Sequence, residues 1–215
     1  KPGSEAGFYN PKRRVGRDMV VLSVAQWLLH NNKEGNGEGN SRRPVPRLLD
    51  ATCAAGVQGL RTAVESPLLA NLTLAVGNAE SENGANAING DDGTTPPPPS
   101  PMELHVTLND MDENVTELAS SNAKLLLLQT NNNSINPHPP VIQITQRVAQ
   151  ALLHEQSYEI SVLDAFGSAV PLLDAAFARA PHKGLIEVCA TDVSALYGSR
   201  PIITKRHYGG ALFCK

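Results

Sequence analysis

The stretch RLLDATCAAGVQGLRTA at residues 47–63 decides the fold. Its first four residues form a short apolar strand that ends in an acid, and VQGLRTAVES at 57–66 has the spacing of a helix. The residues between them are small, so a ligand can approach the backbone and the free N–H groups at the start of the helix. A strand, a tight turn and a helix in this order are typical of a ligand-binding loop in an α/β fold.

The turn also limits which ligand is expected. It lacks the GKS or GKT of a phosphate loop and the GxGxxG of a pyrophosphate-binding dinucleotide site. A nucleoside-like ligand without phosphates, such as S-adenosylmethionine, fits a turn with fewer glycines. The alternative is a turn that serves packing alone. Within it, Cys53 has no accompanying histidine and is expected to be a small buried residue rather than a nucleophile.

Strands alternate with helices along the chain, which predicts a mainly parallel sheet with helices on both faces. Ligands of such α/β sheets bind beyond the carboxyl ends of the strands. The predicted strands lie at 47–50, 104–110, 141–145, 159–164 and 184–190, and the predicted helices at 18–30, 57–66, 112–129, 146–155 and 171–180.

Three polar segments, rich in Gly, Asn or Pro, interrupt this pattern. They lie at 31–46, 74–101 and 130–140, and the second ends in a four-proline run. Because they offer little apolar surface to offset the entropy cost of ordering, we expect disordered surface insertions in a single domain over residues 1–215.

Composition excludes several classes of protein. The chain has 18 Lys and Arg against 21 Asp and Glu, a net charge of −3, so it is not a polybasic nucleic-acid binder. It has no apolar run of about 18 residues, the length of a membrane-spanning helix, and no signal or transit peptide at its start. The six histidines show no ligand spacing, so no metal is expected. Three widely spaced cysteines favour a reducing, intracellular compartment. We expect a monomer in the nucleus, with a mitochondrion or a plastid as alternatives.

Two further strand ends carry acids. Asp110 ends a predicted strand, where it either accepts the hydroxyls of a ribose or caps the next helix. Asp164 ends another in LDAFGS, followed by Phe166. A carboxylate that accepts the hydrogens of a planar base amine turns its lone pair toward a methyl donor, and an aromatic ring stacks on the base. The alternative is that Asp164 caps a helix and Phe166 lies in the core. Ser168 lacks the GxSxG context of a hydrolase.

Two basic segments are candidates for contact with RNA. FYNPKRRVGRD at 8–18 interleaves aromatic and basic residues ahead of a helix, and Arg200, Lys205, Arg206 and His207 form a second cluster. Each is either an RNA-contacting patch or a solvated segment.

Five ordered motifs together resemble the tRNA (guanine-26, N2)-dimethyltransferase family. FYNPKRRVGRDM is similar to the family's FYNP…NRD opening, and the 47–63 stretch resembles its LDxxAxxGxxGxR segment. LNDMDENV is similar to its ND segment, LDAFGSAVPLLDAA to its DP(F/Y)GSP segment, and GLIEVCATDVSALYG to its ATDxxxLxG segment. HYGG is similar to the RKYG that follows. The match covers nearly all of the chain outside the insertions.

The resemblance implies a Rossmann-like class I methyltransferase fold and transfer of methyl groups from S-adenosylmethionine to the N2 amine of guanosine 26 in tRNA. It implies that Asp164 accepts the amine, with Phe8 and Phe166 against the base. The cofactor-binding residues expected from the resemblance and the turn are Arg17, Asp50, Gly56, Arg61, Asp110 and Ala149.

The chain departs from the family pattern at three places. Ala165 replaces the proline of the catalytic turn, and Val148 stands where relatives often have an acid. The chain ends at Lys215, so we expect a catalytic fragment without the family's tRNA-binding domain. Two alternatives stay open: a methyltransferase for another amine, and a non-catalytic RNA-binding relative.

Overall fold

A computed structural model describes residues 10–33, 44–84, 101–131 and 139–210 of the chain. Five parallel strands form one sheet in the order β3-β2-β1-β4-β5. This is a doubly wound order, in which β2 and β3 follow on one side of β1, and β4 and β5 on the other. The strands are β1 Arg47–Asp50, β2 His105–Asp110, β3 Val141–Gln146, β4 Ile160–Leu163 and β5 Leu185–Val188. The predicted α/β class and all five predicted strands are confirmed.

Helices cover both faces of this sheet. The helices are α1 Arg14–Lys33, α2 Val57–Gly84, α3 Glu113–Asn131, α4 Ala149–Glu155, α5 Val170–Arg179, α6 Val193–Leu196 and α7 Pro201–Tyr208, with a short 3-10 turn at Pro11–Arg13. The five predicted helices are present, whereas α6 and α7 were not predicted. The predicted helix at 146–155 begins later, because Gln146 still pairs with Asp110 in the sheet.

The two central leucines show why both faces must be covered. Leu48 and Leu49 are adjacent in β1 and point to opposite faces, yet both are fully buried. Leu48 joins the core under α1, α2 and α3. Leu49 joins the core under α4 and α5. The strand therefore lies between two helix layers.

Helix α2 corrects the predicted boundary of the second insertion. The helix was expected to end at Ser66, before Pro67, but it continues to Gly84. Residues 74–84 of the predicted insertion are therefore helical. Packing explains the difference, since Ala70 is buried and Leu74 packs against the core. Ser66 also donates its hydroxyl to the Val21 carbonyl of α1, at 2.9 Å.

The other two insertions are also shorter than predicted. Residues 31–33 belong to α1, and residues 130 and 131 belong to α3. Pro46 accepts the backbone N–H of His105 at 3.0 Å and so joins the start of β2. The segments 34–43, 85–100 and 132–138 lie outside the described residues.

Candidate active site

A cavity of about 450 Å³ lies at the carboxyl ends of the strands, beside the point where the strand order reverses. The loops after all five strands line it, with Thr191 from the loop after β5, together with the start of α1. Six of the nine predicted site residues are among its lining residues: Arg17, Asp50, Asp110, Ala149, Asp164 and Phe166. A larger cavity of about 630 Å³, lined by Trp27 and Met102, lies at the opposite, amino ends of the strands. The acids at the strand ends assign the chemistry to the smaller cavity.

Asp50 ends β1 in the interior of this site. Its side chain is almost fully buried, and Oδ2 accepts the backbone N–H of Gly59 at 3.0 Å. Oδ1 has no hydrogen-bond partner among the described residues. Burial, with the nearby charge of Asp164, raises the pKa of Asp50 from 3.8 to about 7. A buried carboxylate of this kind favours a ligand that brings a cationic hydrogen-bond donor.

The turn after β1 is held by its own backbone and by β2. Cys53 donates its N–H to the Asn109 carbonyl at 2.8 Å, and Ala54 donates its N–H to Asp110 Oδ2 at 3.1 Å. Burial raises the pKa of the Cys53 thiol, which agrees with its predicted role as a small buried residue. These bonds fix the shape of the turn that a ligand in the cavity would contact.

Gly56 serves this turn through packing. Its φ of +77° is in the left-handed region, and a Cβ there would lie 3.1 Å from Leu108 and 3.3 Å from Ala119. Gly56 is not among the residues that line the cavity. Gly56 therefore shapes the turn, and its predicted role in cofactor binding would act through that shape.

Asn109 connects the loops of three strands, a role that the sequence did not reveal. Its amide is fully buried and donates to the carbonyls of Ala51 and Arg147, both at 3.0 Å. Its Oδ1 accepts from the Thr145 hydroxyl at 2.9 Å and from the Arg147 N–H at 3.1 Å. All four amide hydrogen bonds are therefore made within the site. The sequence signals were a polar residue inside the run LHVTLND and its place in the ND motif, neither of which shows these partners.

Asp110 lines the cavity and supports the loops on either side. Besides Ala54, it accepts the N–H of Asp112 at 3.2 Å through Oδ1. Each oxygen keeps a second lone pair, which leaves capacity for two hydroxyl donors of a ligand. One carboxylate therefore supports the start of α3 and also lines the cavity, and its predicted role at the ribose stays a prediction.

Asp164 and Phe166 lie in the loop after β4. Asp164 forms an ion pair with Arg13, whose Nη1 lies 2.6 Å from Oδ1. The Arg13 guanidinium also contacts Cys189 Sγ. Phe166 is 81% exposed at the rim of the cavity, so the alternative that places it in the core is wrong. Sequence reasoning noted Arg13 as one of several basic residues, but its pairing with Asp164 joins distant parts of the chain.

The remaining predicted residues occupy different positions. Arg17 is almost fully buried in the cavity wall and donates to the Asn10 carbonyl at 3.2 Å. Ala149 is buried at the first residue of α4. Arg61 is not brought to the cavity: it pairs with Asp18 and Glu65, each at 2.7 Å. Phe8 lies outside the described residues.

The described ranges contain neither a candidate membrane span nor a candidate metal site. In this part of the chain, no helix is long and apolar enough to cross a membrane. Across the same residues, no group of three or more His, Cys, Asp or Glu side chains is arranged to hold a metal ion.

Comparison with known families identifies the chain. The sequence profile of the family described as TRM, N2,N2-dimethylguanosine tRNA methyltransferase, matches residues 100–214, more than half of the chain. The chain belongs to this family. The resemblance drawn from the five motifs is confirmed.

Named relatives support the same assignment. The tRNA (guanine(26)-N(2))-dimethyltransferase of Methanosarcina barkeri is 30% identical over 92% of this chain and 38% of that protein. The tRNA (guanine(27)-N(2))-dimethyltransferase of Rattus norvegicus is 26% identical over 97% of this chain and 24% of that protein. The chain therefore spans well under half of the length of either relative.

A solved structure shares the fold. The complex of Trm1 from Pyrococcus horikoshii with S-adenosyl-L-methionine matches with a TM-score of 0.63 at 24% identity, covering all of this chain and 46% of that one. The Rossmann-like methyltransferase fold expected for this chain is confirmed.

Proposed function

We propose that the protein transfers methyl groups from S-adenosylmethionine to the N2 amine of guanosine 26 in tRNA. The observation that carries the proposal is one cavity that is lined by Asp50 and Asp110 and also by Asp164 and the exposed Phe166. The acids supply acceptors for the cofactor and for the amine, and the aromatic ring supplies a surface on which the base can stack. The chain also belongs to the N2,N2-dimethylguanosine tRNA methyltransferase family.

The inner part of the cavity fits S-adenosylmethionine. Asp50 lines the cavity and has a buried oxygen without a partner in the described chain, and this carboxylate would take the cofactor's ammonium group. Asp110 has free lone pairs for two ribose hydroxyls. Ala149 begins α4 in the cavity wall, where a small side chain leaves space for the adenine. Val148, before it, is about half exposed, and its side chain has no oxygen to accept a hydrogen bond from the adenine amine.

The mouth of the cavity fits a guanine base. Phe166 presents an exposed ring on which an extruded base can stack. Asp164 would accept an N–H of the exocyclic amine and so direct the nitrogen lone pair into the cavity. Arg13 holds one oxygen of Asp164, which fixes the direction of the carboxylate.

The reaction itself needs placement and charge stabilisation. When bound, S-adenosylmethionine supplies a methyl group on a cationic sulfur. The amine nitrogen would take this methyl group as the C–S bond breaks with its electron pair on sulfur, and positive charge would develop on the nitrogen. Asp164 stabilises that charge and accepts the proton that the nitrogen loses. The proton then passes to solvent at the exposed mouth.

Ala165 does not remove this geometry. The residue packs against the core under α4 and α5, so contacts with that core hold the turn where relatives use a proline ring. The backbone carbonyl of Ala165 stays available as a second acceptor for the amine.

Mass spectrometry of nucleosides tests the proposal. Unmodified tRNA is incubated with the full-length protein and S-adenosylmethionine, digested, and compared with tRNA treated with the Asp164→Asn variant. We expect N2-methylguanosine and N2,N2-dimethylguanosine from the wild type, mapped to position 26. Methylation at position 27 would correct the position alone. The absence of methylguanosine, with methylation of another amine or with no cofactor binding, would support one of the two alternatives. A monomeric state and a nuclear location stay predictions.

A further inference from the structure

We propose that Tyr208, acting through Asp192 and Thr191, positions the loop at 164–168 for methyl transfer. This inference rests on the proposed function, because that loop carries Asp164 and Phe166. It assigns a role to the ATD and HYGG motifs, of which only Thr191 lines the cavity.

The first link joins Thr191 to the loop. Gly167 donates its N–H to Thr191 Oγ1 at 3.0 Å, and Thr191 donates its N–H to the Gly167 carbonyl at 3.0 Å. Gly167 has a φ of +81°, and a Cβ there would meet nothing within 4 Å in the described chain. Since side-chain packing does not confine this glycine, the paired hydrogen bonds fix its position.

The second link joins the adjacent Asp192 to Tyr208. The Tyr208 hydroxyl donates to Asp192 Oδ1 at 2.5 Å, and His207 Nδ1 lies 3.4 Å from Oδ2. These bonds hold the pKa of Asp192 below its usual value, and that of the Tyr208 hydroxyl to the carboxylate contributes most. Tyr208 thus holds the residue after Thr191, and Thr191 in turn holds the loop.

Helix α7 places this tyrosine. Thr204 is fully buried and donates its hydroxyl to the Ala195 carbonyl of α6 at 2.7 Å. Tyr208 is the last residue of α7, and Gly209 ends the helix with a φ of +72°. The ring is therefore presented from a helix end that is anchored at its middle.

The rate of methyl transfer is sensitive to small displacements of the groups that position the substrate. A displacement of about 1 Å in a reacting group can lower turnover about 100-fold. The loop carries Asp164 at one end and Ser168 at the other, with the exposed Phe166 between them. Tyr208 is a positioning residue, since it acts through these contacts and does not line the cavity.

Tyr208→Phe tests the proposal, with Tyr197→Phe as the matched control. Both changes remove one hydroxyl, and Tyr197 lies in the same segment, 69% exposed. For Tyr208→Phe we expect kcat for tRNA methylation to fall roughly 10-fold, while the Kd of S-adenosylmethionine stays within about twofold. Amide hydrogen exchange in residues 164–170 should become faster. Tyr197→Phe should leave all three measurements unchanged.

A second variant separates positioning from loss of stability. Thr191→Val removes the acceptor for Gly167 at nearly constant volume, and the double variant with Tyr208→Phe should lose less than the product of the single effects. Unchanged kcat and unchanged exchange at 164–170 in Tyr208→Phe would overturn the proposal, as would a loss of kcat matched by weaker cofactor binding. If the wild type does not methylate tRNA, the proposed function fails, and exchange at 164–170 still decides whether Tyr208 positions the loop.

Discussion

The loops after the neighbouring strands β1 and β4 line one cavity but are held in different ways. The β1 loop, from Asp50 to Gly59, is largely buried, and its bonds come from its own helix and from the elements packed around it, β2, β4 and α3. The β4 loop, from Asp164 to Ser168, is half exposed, and its partners are Arg13 and residues beyond β5.

This difference separates binding from chemistry. The β1 loop is part of the sheet's central packing, so its shape is set when the core forms. The β4 loop depends on side chains from both ends of the described chain. Changes in the β1 loop should therefore affect cofactor affinity and folding, whereas changes in the β4 loop should affect turnover.

Asp164→Asn tests the chemical role of the β4 loop and should have the largest effect. The amide keeps the shape of the side chain but removes its charge and adds donors that face the donors of the substrate amine. We expect kcat to fall about 100-fold or more at saturating cofactor, with the Kd of S-adenosylmethionine unchanged. Retention of most of the turnover would assign Asp164 a purely structural role.

Asp110→Ala tests the binding role of the β1 loop, which Asp110 supports from the end of β2. The change removes the carboxylate that faces the cavity and accepts the Ala54 N–H. Loss of a charge-assisted hydrogen bond removes roughly 1.5–3 kcal/mol, so cofactor affinity should fall by about one to two orders of magnitude in a calorimetric titration. Asp112→Ala is the control, since Asp112 caps α3 through Asn114 and does not line the cavity. Equal affinity in both variants would contradict the ribose assignment.

Gly59→Ala tests whether the β1 loop is part of the core. A Cβ at Gly59 would lie 2.2 Å from Leu108 and 3.1 Å from Asp50 Oδ2, so side chains must shift. We expect the free energy of unfolding to fall by about 1–3 kcal/mol in denaturant titrations. Gly77→Ala in the same helix has open space around its Cβ and should raise it by about 0.5–1 kcal/mol. A neutral Gly59→Ala would show that the loop yields readily.

The pH dependence of cofactor binding gives the smallest effect and concerns Asp50. The pKa of Asp50 is about 7 in the free protein, above its ordinary value of 3.8. Between about pH 4 and about pH 7 the unfolded chain therefore loses this proton while the folded protein keeps it, so the stability of the free protein falls as pH rises. A cationic ligand favours the ionised form. Affinity for S-adenosylmethionine should therefore increase several-fold from pH 6 to pH 7.5. Asp50→Asn should remove that increase, and an unchanged pH profile in this variant would assign the proton to another group.

The sequence was sufficient for the sheet and for the acids at its strand ends. Strand bounds follow from short apolar runs, and parallel strands bring Asp50, Asp110 and Asp164 to one edge without further information. The length of α2 was not predictable from local rules, because Pro67 is a strong stop signal that packing of Ala70 and Leu74 offsets.

Side-chain partners at the site were beyond sequence reasoning. Arg13 with Asp164, and Thr191 with Gly167, are pairs that only the tertiary arrangement brings together. Arg61 was expected at the cofactor, but it pairs with Glu65, four residues further along the same helix and away from the cavity. Its role in cofactor binding stays a prediction.

Replacement of a single amine tests the central claim most directly. Two tRNAs that differ only at position 26, one with guanosine and one with inosine, which lacks the N2 amine, are incubated with the full-length protein and methyl-labelled S-adenosylmethionine. The account predicts label in the guanosine tRNA, in the N2-methylated nucleosides of position 26, and none in the inosine tRNA. Equal labelling of the two tRNAs would show that the methyl group goes to another atom and would contradict it.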